Sequence, residues 1–133
     1  MRLERINPKT LAPPSGFSHA VVAEGRVVAL AGQTALDRDG HIVGTGVAEQ
    51  FEQALGNLLK ALRASGGRPD QLVSLTVYVV DMDDYRKHAG DIGRVWRLLV
   101  GRDYPAMAGI GVSRLWDAAA LIEVQGLAVL DTR

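Results

Sequence analysis

The sequence predicts an α+β domain, a mixed β-sheet carrying two helices on one face. Three observations predict it. Two stretches place apolar residues at steps of three and four, the period of a helix with one buried stripe. Six shorter stretches are rich in apolar and β-branched residues and are bounded by Gly, Pro, Asn or Asp. The order along the chain is β-β-β-α-β-α-β-β, in which helices and strands are not strictly alternating.

Leu3–Ile6 is a short, charged strand ended by Asn7-Pro8. After the loop Ala12-Pro13-Pro14-Ser15-Gly16, apolar runs follow at 19–23 and 26–31. Glu24-Gly25 between them reads as a hairpin turn in which Gly takes a positive φ. Asp37-Arg38-Asp39-Gly40 is a second turn. Val47, Phe51, Leu55, Leu58, Leu59 and Leu62 then form the stripe of the first helix, with Thr45 as the expected N-cap and Ser65-Gly66-Gly67 as the stop. A β-branched strand follows at 72–80. Asp81 caps a second helix with the stripe Tyr85, Ala89, Ile92, Trp96 and Leu99, stopping at Gly101. Gly90 and Gly93 weaken that helix by roughly 1 kcal/mol each relative to Ala. Strands at 107–115 and 120–130 close the chain.

Two of these strands are apolar on both faces. In 72–80 one face is Val73, Leu75, Val77 and Val79, and the other is Leu72, Ser74, Thr76, Tyr78 and Val80. In the last strand Ile122, Val124 and Ala128 oppose Leu121, Leu127 and Val129. Two helices cannot cover both sides of such a sheet, so a second cover is needed, and another copy of the chain supplies it. A homo-oligomer packed through the helix-free face is expected. Glu123 stands in that face with Gln125 two residues on. An acid there is costly without a partner. An inter-subunit salt bridge and a pocket between subunits are equally good accounts of it.

Composition bounds the rest. The 133 residues make one domain, 1–133, with 47% hydrophobic and 23% charged residues. Fifteen Lys and Arg balance fifteen Asp and Glu, which argues against nucleic acid as a partner held through phosphates. The absence of cysteine excludes disulfides, thiolate metal sites and a Cys nucleophile. No apolar run approaches a membrane span, so a cytoplasmic protein with no membrane partner is expected. His19, His41 and His88 share no metal-ligand spacing. Asp37-x-Asp39-Gly40 lacks the later ligands of a calcium loop. Asp81-Met82-Asp83-Asp84 reads as a helix cap, and Gly44-Thr45-Gly46 lacks the Lys-Ser/Thr of a phosphate loop. Arg94, Arg97 and Arg102 read as a solvated basic face near a helix C-terminus. Neither Ser15, Ser18 nor Ser113 has a nearby His-and-acid pattern.

Several segments in this order carry a resemblance: the run at 25–33 ending Ala31-Gly32-Gln33, the helix at 47–64, LVSLTVYVVDMDDY at 72–85, Tyr104-Pro105-Ala106, and LIEVQGLAVL at 121–130. Over nearly its whole length the chain resembles the Rid proteins, also called the YjgF/RidA family and in places L-PSP endoribonucleases. The resemblance implies a chorismate-mutase-like α+β fold. It also implies a homotrimer with a central sheet barrel, helices outside and small-molecule clefts between subunits. Active members hydrolyse enamines and imines to keto acids and ammonia, with no cofactor. An arginine directly after Pro-Ala clamps the substrate carboxylate there, and a glutamate in the last strand positions water. A tyrosine in an early strand and the backbone of a glycine before Gln assist.

Carried onto this chain, the glycine is Gly32, followed by Gln33, and the glutamate is Glu123. The arginine position is Met107. The tyrosine position, after Gly16-Phe17, is Ser18, and the Asn-x-x-Tyr pattern that the family carries in the second helix reads Ala89-x-x-Ile92. The implied ligand-binding set is therefore Phe17, Ser18, Gly32, Gln33, Ala89, Met107 and Glu123, with Glu123 the candidate catalytic residue. Arg presents a planar charged fork to a carboxylate, and Met a thioether with almost no hydrogen-bonding capacity. The expectation is a trimer whose cleft is not an efficient imine deaminase and either binds a small ligand or uses Glu123 in a related hydrolysis. The alternatives are an enamine/imine deaminase of altered specificity and, further off, a nuclease or translation inhibitor. Arg102 and Arg114 are the candidates to replace the missing clamp.

Overall fold

The computed structural model describes residues 3–132. It contains strands β1 (Leu3–Ile6), β2 (Ala20–Ala23) and β3 (Arg26–Gln33), then helix α1 (Val47–Ala64). A short 3-10 turn, Pro69–Gln71, leads into β4 (Leu72–Val79). Helices α2 (Met82–Lys87) and α3 (Ala89–Leu99) and strands β5 (Ala106–Gly111) and β6 (Ile122–Leu130) complete the chain. The α+β class and the element order are those the sequence predicts, with one helix divided.

The main sheet has the strand order β3-β6-β4-β5. Only the β4–β5 pair is parallel, because α2 and α3 form the crossover between them. β1 and β2 form a separate antiparallel pair, tied to the main sheet by a bridge between Ser18 and Ala106. This overturns the expected hairpin at Glu24-Gly25. β2 pairs with β1, and β3 pairs with β6 through Arg26 opposite Leu130 and Val28 opposite Ala128. Gly25 still needs to be glycine, at φ 148°, because a side chain there would collide with the Leu130 carbonyl. The segment turns from one sheet into the other rather than folding back on itself.

The core lies between α1 and the sheet. Phe51, Leu55, Leu58, Leu59 and Leu62 of the expected stripe are fully buried, facing Leu75, Val77, Val79, Ile122 and Val124. Leu72 is buried with them, contrary to the simple alternation that paired it with Ser74. A register shift between Leu72 and Ser74 turns it to the helix side and leaves Val73 half-buried.

The N-cap of α1 is Gly46, one residue later than expected. Thr45 acts differently: its hydroxyl and N–H, with the Gly46 N–H, all donate to Glu49 Oε1 at 3.0, 3.3 and 3.1 Å. These bonds, the Thr45 hydroxyl foremost, hold the Glu49 carboxyl below its ordinary value. A depressed carboxyl stabilises the fold above its unfolded pKa, and that contribution is lost as pH falls through the folded value. Glu49→Gln is therefore expected to lower the melting temperature at about pH 7 and to lower it less at about pH 2, after the pH has fallen toward the folded value. Calorimetry at the two pH values checks this, and an equal loss at both would refute it.

The second predicted helix is two helices. His88, at φ −103° and ψ 18°, breaks it, and the His88 Nδ1 lies 2.9 Å from the Asp84 carbonyl oxygen. Asp81 caps α2 as expected, its carboxylate accepting from the Asp84 N–H at 3.1 Å. β5 is shorter than the expected strand, and the chain at 112–119 is a loop. One buried side chain anchors that loop to α1. Gln50 donates to the carbonyls of Gly44 (3.2 Å) and Ala119 (3.1 Å) and accepts from the Leu121 N–H (2.8 Å). The Asp37 turn forms as read, its carboxylate accepting from the N–H groups of Asp39 and His41, both at 2.9 Å.

Candidate functional site

Side chains alternate along the strands, and the register fixes which residues share a face. Met107 on β5 lies opposite Leu75 of β4, a buried core residue, so Met107 points to the helix side. There it borders a cleft of about 370 Å³. Phe51, Ile92, Trp96 and Met107 give the cleft an apolar lining. Tyr85, Ala89, Gly93 and Arg97 of the two short helices border it as well, with Ser15-Gly16 contributing backbone from the loop before β2. Phe17 and Met107 share an adjoining hollow of about 200 Å³ with Tyr85. Burial raises the Tyr85 phenol above its ordinary value, so it is a neutral hydroxyl at physiological pH.

The segment that delivers Met107 is held from two sides. Trp96 stacks on Tyr104 with ring centroids 5.7 Å apart, and its indole N–H donates to the Asp103 carbonyl at 3.3 Å. From the other side the Ser18 hydroxyl donates to the Tyr104 carbonyl at 2.6 Å, and the Ser18 N–H donates to the Pro105 carbonyl at 3.0 Å. Ser18 is buried and engaged in this way. It positions Tyr104-Pro105 and is not among the residues bordering the cleft.

Glu123 stands on the other side of the sheet. It pairs with Tyr78, between Ile122 and Val124, which are buried in the helix-side core. The Tyr78 hydroxyl donates to Gln125 Oε1 at 3.1 Å, so these polar groups share the open face. Gly32 is packed directly against the Glu123 carboxylate, and a side chain at 32 would occupy the position of Oε2. Arg114, Leu115 and Trp116 of the 112–119 loop border the open depression beside Glu123, and Trp116 is 91% exposed. Among the described residues Glu123 has no ion-pair partner.

The residues named from the sequence therefore fall into two groups. Phe17, Ala89 and Met107 gather on the helix side. Gly32 and Glu123 meet on the open side, and Gln33 pairs with Val124 at the end of β3. One chain cannot bring Met107 and Glu123 face to face. Arg114 is on the Glu123 side, and Arg102 borders neither depression.

Arg97 and Tyr85 are additions that sequence reasoning missed. The usable signal for Arg97 was its spacing. Ala89, Gly93 and Arg97 form one row at steps of four on α3, and Ala89 was already a candidate.

The open face also exposes apolar residues, as the two-sided strands predict. Val27 is 68% exposed, Ile110 43% and Leu127 41%. Among the described residues no helix is long and apolar enough to cross a membrane, and no group of three or more metal-ligating side chains comes together.

Comparison with known proteins gives a consistent set. A family profile described as Endoribonuclease L-PSP matches residues 8–130. The chain is 33% identical to a "RutC family protein" of Pyrococcus horikoshii, over 91% of this chain and 90% of that one. It is 31% identical to the mouse "2-iminobutanoate/2-iminopropanoate deaminase", over 96% of this chain and 92% of the other. Among solved structures it is similar to YyfB of Yersinia pestis, a protein of unknown function described as of the conserved Rid protein family. That match has a TM-score of 0.88 at 36% identity and covers 98% of this chain and 100% of the other.

Proposed function

The chain belongs to the endoribonuclease L-PSP family, the Rid family, and from that premise we propose that it is a homotrimer holding a small molecule in clefts between subunits, without being an efficient deaminase of 2-imino acids. One observation carries this reading: the division of the predicted site residues between the two faces of one sheet. A cleft that uses both Met107 and Glu123 takes the helix-side edge of one chain and the open face of its neighbour. The exposed apolar residues of that face supply a reason for the chains to associate.

Methionine at 107 removes a bidentate carboxylate clamp. Each charged hydrogen bond is worth about 1.5–3 kcal/mol net, so losing the pair weakens substrate binding on the order of a hundredfold or more. Glu123 beside Gly32 remains a carboxylate able to accept a proton from water in a related hydrolysis. The name of the mouse relative supports the second reading, a deaminase of altered specificity. The balanced charge weighs against a nuclease.

The test is ammonia release from 2-iminopropanoate generated in situ by a pyridoxal-phosphate lyase. The wild-type chain is expected to stay within a few-fold of the spontaneous rate. Met107→Arg is expected to raise hydrolysis well above it, and Glu123→Gln in that background to abolish the gain with the assembly intact. Wild-type hydrolysis far above the spontaneous rate would establish the deaminase reading instead. Dissociation of the assembly by Glu123→Gln would make Glu123 an interface ion.

A further inference from the structure

We infer that Arg97 is the anion-binding residue of the Met107 cleft, and that the cleft takes a monocarboxylate with an apolar body, its charge held from α3 rather than from β5. This rests on reading that cleft as a small-molecule site.

Three features of the site converge on it. The first is position. Arg97 borders the cleft together with Trp96, Tyr104 and Met107. Gly93, one turn earlier in the same row, has no side chain, and the Arg97 guanidinium lies back over it. A Cβ at 93 would stand 3.3 Å from Arg97 Nη1. Any larger residue at 93 would push the guanidinium off the helix surface beside the cleft.

The second is charge. Arg94, three residues before, is ion-paired with Asp91. Arg97 has no ion pair or hydrogen bond among the described residues. Within one chain no Asp or Glu borders the cleft, so the acid nearest it in the assembly proposed above is the Glu123 that a neighbouring copy brings. Within its own chain a single cation therefore stands unpaired beside an apolar lining, with the Tyr85 hydroxyl as a neutral donor. Anions concentrate at such a place, and a guanidinium accepts a carboxylate through two parallel hydrogen bonds.

The third is the lining itself. Phe51, Ile92, Trp96 and Met107 offer aromatic and aliphatic surface, and about 370 Å³ is within the range of small-molecule sites. A cleft for a very short imino acid has no use for so much apolar surface beyond its cation. An aromatic or branched acid uses both: the carboxylate on Arg97 and the body against Met107 and Phe51. The methionine then belongs to the recognition of this ligand, filling with a flexible thioether the space that a clamp would occupy.

The experiment compares a carboxylate with its uncharged isostere on the full chain, following the methyl resonance of Met107 by NMR. The probes are 3-phenylpropanoate and 3-phenylpropanamide. The acid is expected to bind at least about tenfold more tightly than the amide. Arg97→Gln is expected to remove that preference while leaving the amide's affinity unchanged, and Arg94→Gln to change neither. Gly93→Leu, which displaces the guanidinium without deleting it, is expected to reduce the preference in the same direction. Equal affinities for acid and amide, or an acid preference that survives Arg97→Gln, would overturn the inference while the small-molecule reading of the cleft stands. Failure of both probes to perturb Met107 would overturn that reading, and this inference with it.

Discussion

Leu127→Asp is expected to convert the assembled protein into single folded chains. Leu127 lies in the middle of the open face, opposite Ala29 of β3 on one side and Ser74 of β4 on the other. It is 41% exposed in the isolated chain, so an aspartate there meets water and the helix-side core is untouched. In an assembly closed by this face the same carboxylate would be covered by the neighbouring chain, with Ala29 and Ser74 beside it. Burying an unpaired charge costs several kcal/mol for each copy, more than a modest apolar interface returns. Sedimentation velocity at micromolar concentration should show an assembled wild type and a monomeric variant, with the same far-ultraviolet circular dichroism. A wild type that sediments as a monomer would remove the oligomer, and with it any cleft uniting Met107 and Glu123. A variant that remains assembled would move the interface to another face.

Leu58→Ala is expected to be among the most destabilising single truncations in α1. Leu58 is fully buried at the centre of the helix stripe, with Leu55, Leu59 and Leu62 around it and the sheet beneath. Truncating such a leucine costs about 2–5 kcal/mol, because the lost transfer energy is joined by a cavity that rigid neighbours cannot fill. Domains of this size hold only about 5–15 kcal/mol in total. Urea unfolding at fixed protein concentration should show a much lower midpoint, fixed concentration being necessary because association adds to apparent stability. A loss below about 1 kcal/mol would mean that α1 is not packed on the sheet as described.

The helices and the two-faced strands were legible because they rest on local periodicity. The stripe from Val47 to Leu62 needs no distant partner to be recognised. What sequence could not supply is which strand pairs with which. Glu24-Gly25 has the composition of a hairpin turn, yet Arg26 pairs with Leu130, far along the chain, and the non-local partner wins. Leu72 was assigned to the wrong face because alternation assumes an unbroken register. The divided second helix was hinted at by Gly90, but the break itself is made at His88.

At the candidate site, Glu123 stood out as an acid in an apolar strand, Gly32 and Met107 were found through resemblance, and the contact of Gly32 with the Glu123 carboxylate gives two of them a physical relation. That Met107 and Glu123 stand on opposite faces follows from the β4 register, which no local pattern reveals. Arg97 was passed over for a different reason. A basic residue late in a helix already has a sufficient explanation in the helix dipole, and only the shape of the cleft adds a second.

The place of β6 in the sheet has a consequence for how the chain acquires its structure. β6 is hydrogen-bonded on both sides, to β3 and to β4, and it follows every other strand in sequence. While a nascent chain leaves the ribosome, β4 and β5 can pair through their helical crossover, but β3 has no neighbour until β6 emerges. An inner strand of the sheet is thus the last of its four to be made. Early intermediates should carry α1 and the β4–β5 unit with an unfilled slot beside β4, whose unpaired backbone N–H and C=O groups are open to strangers until the chain's own strand arrives.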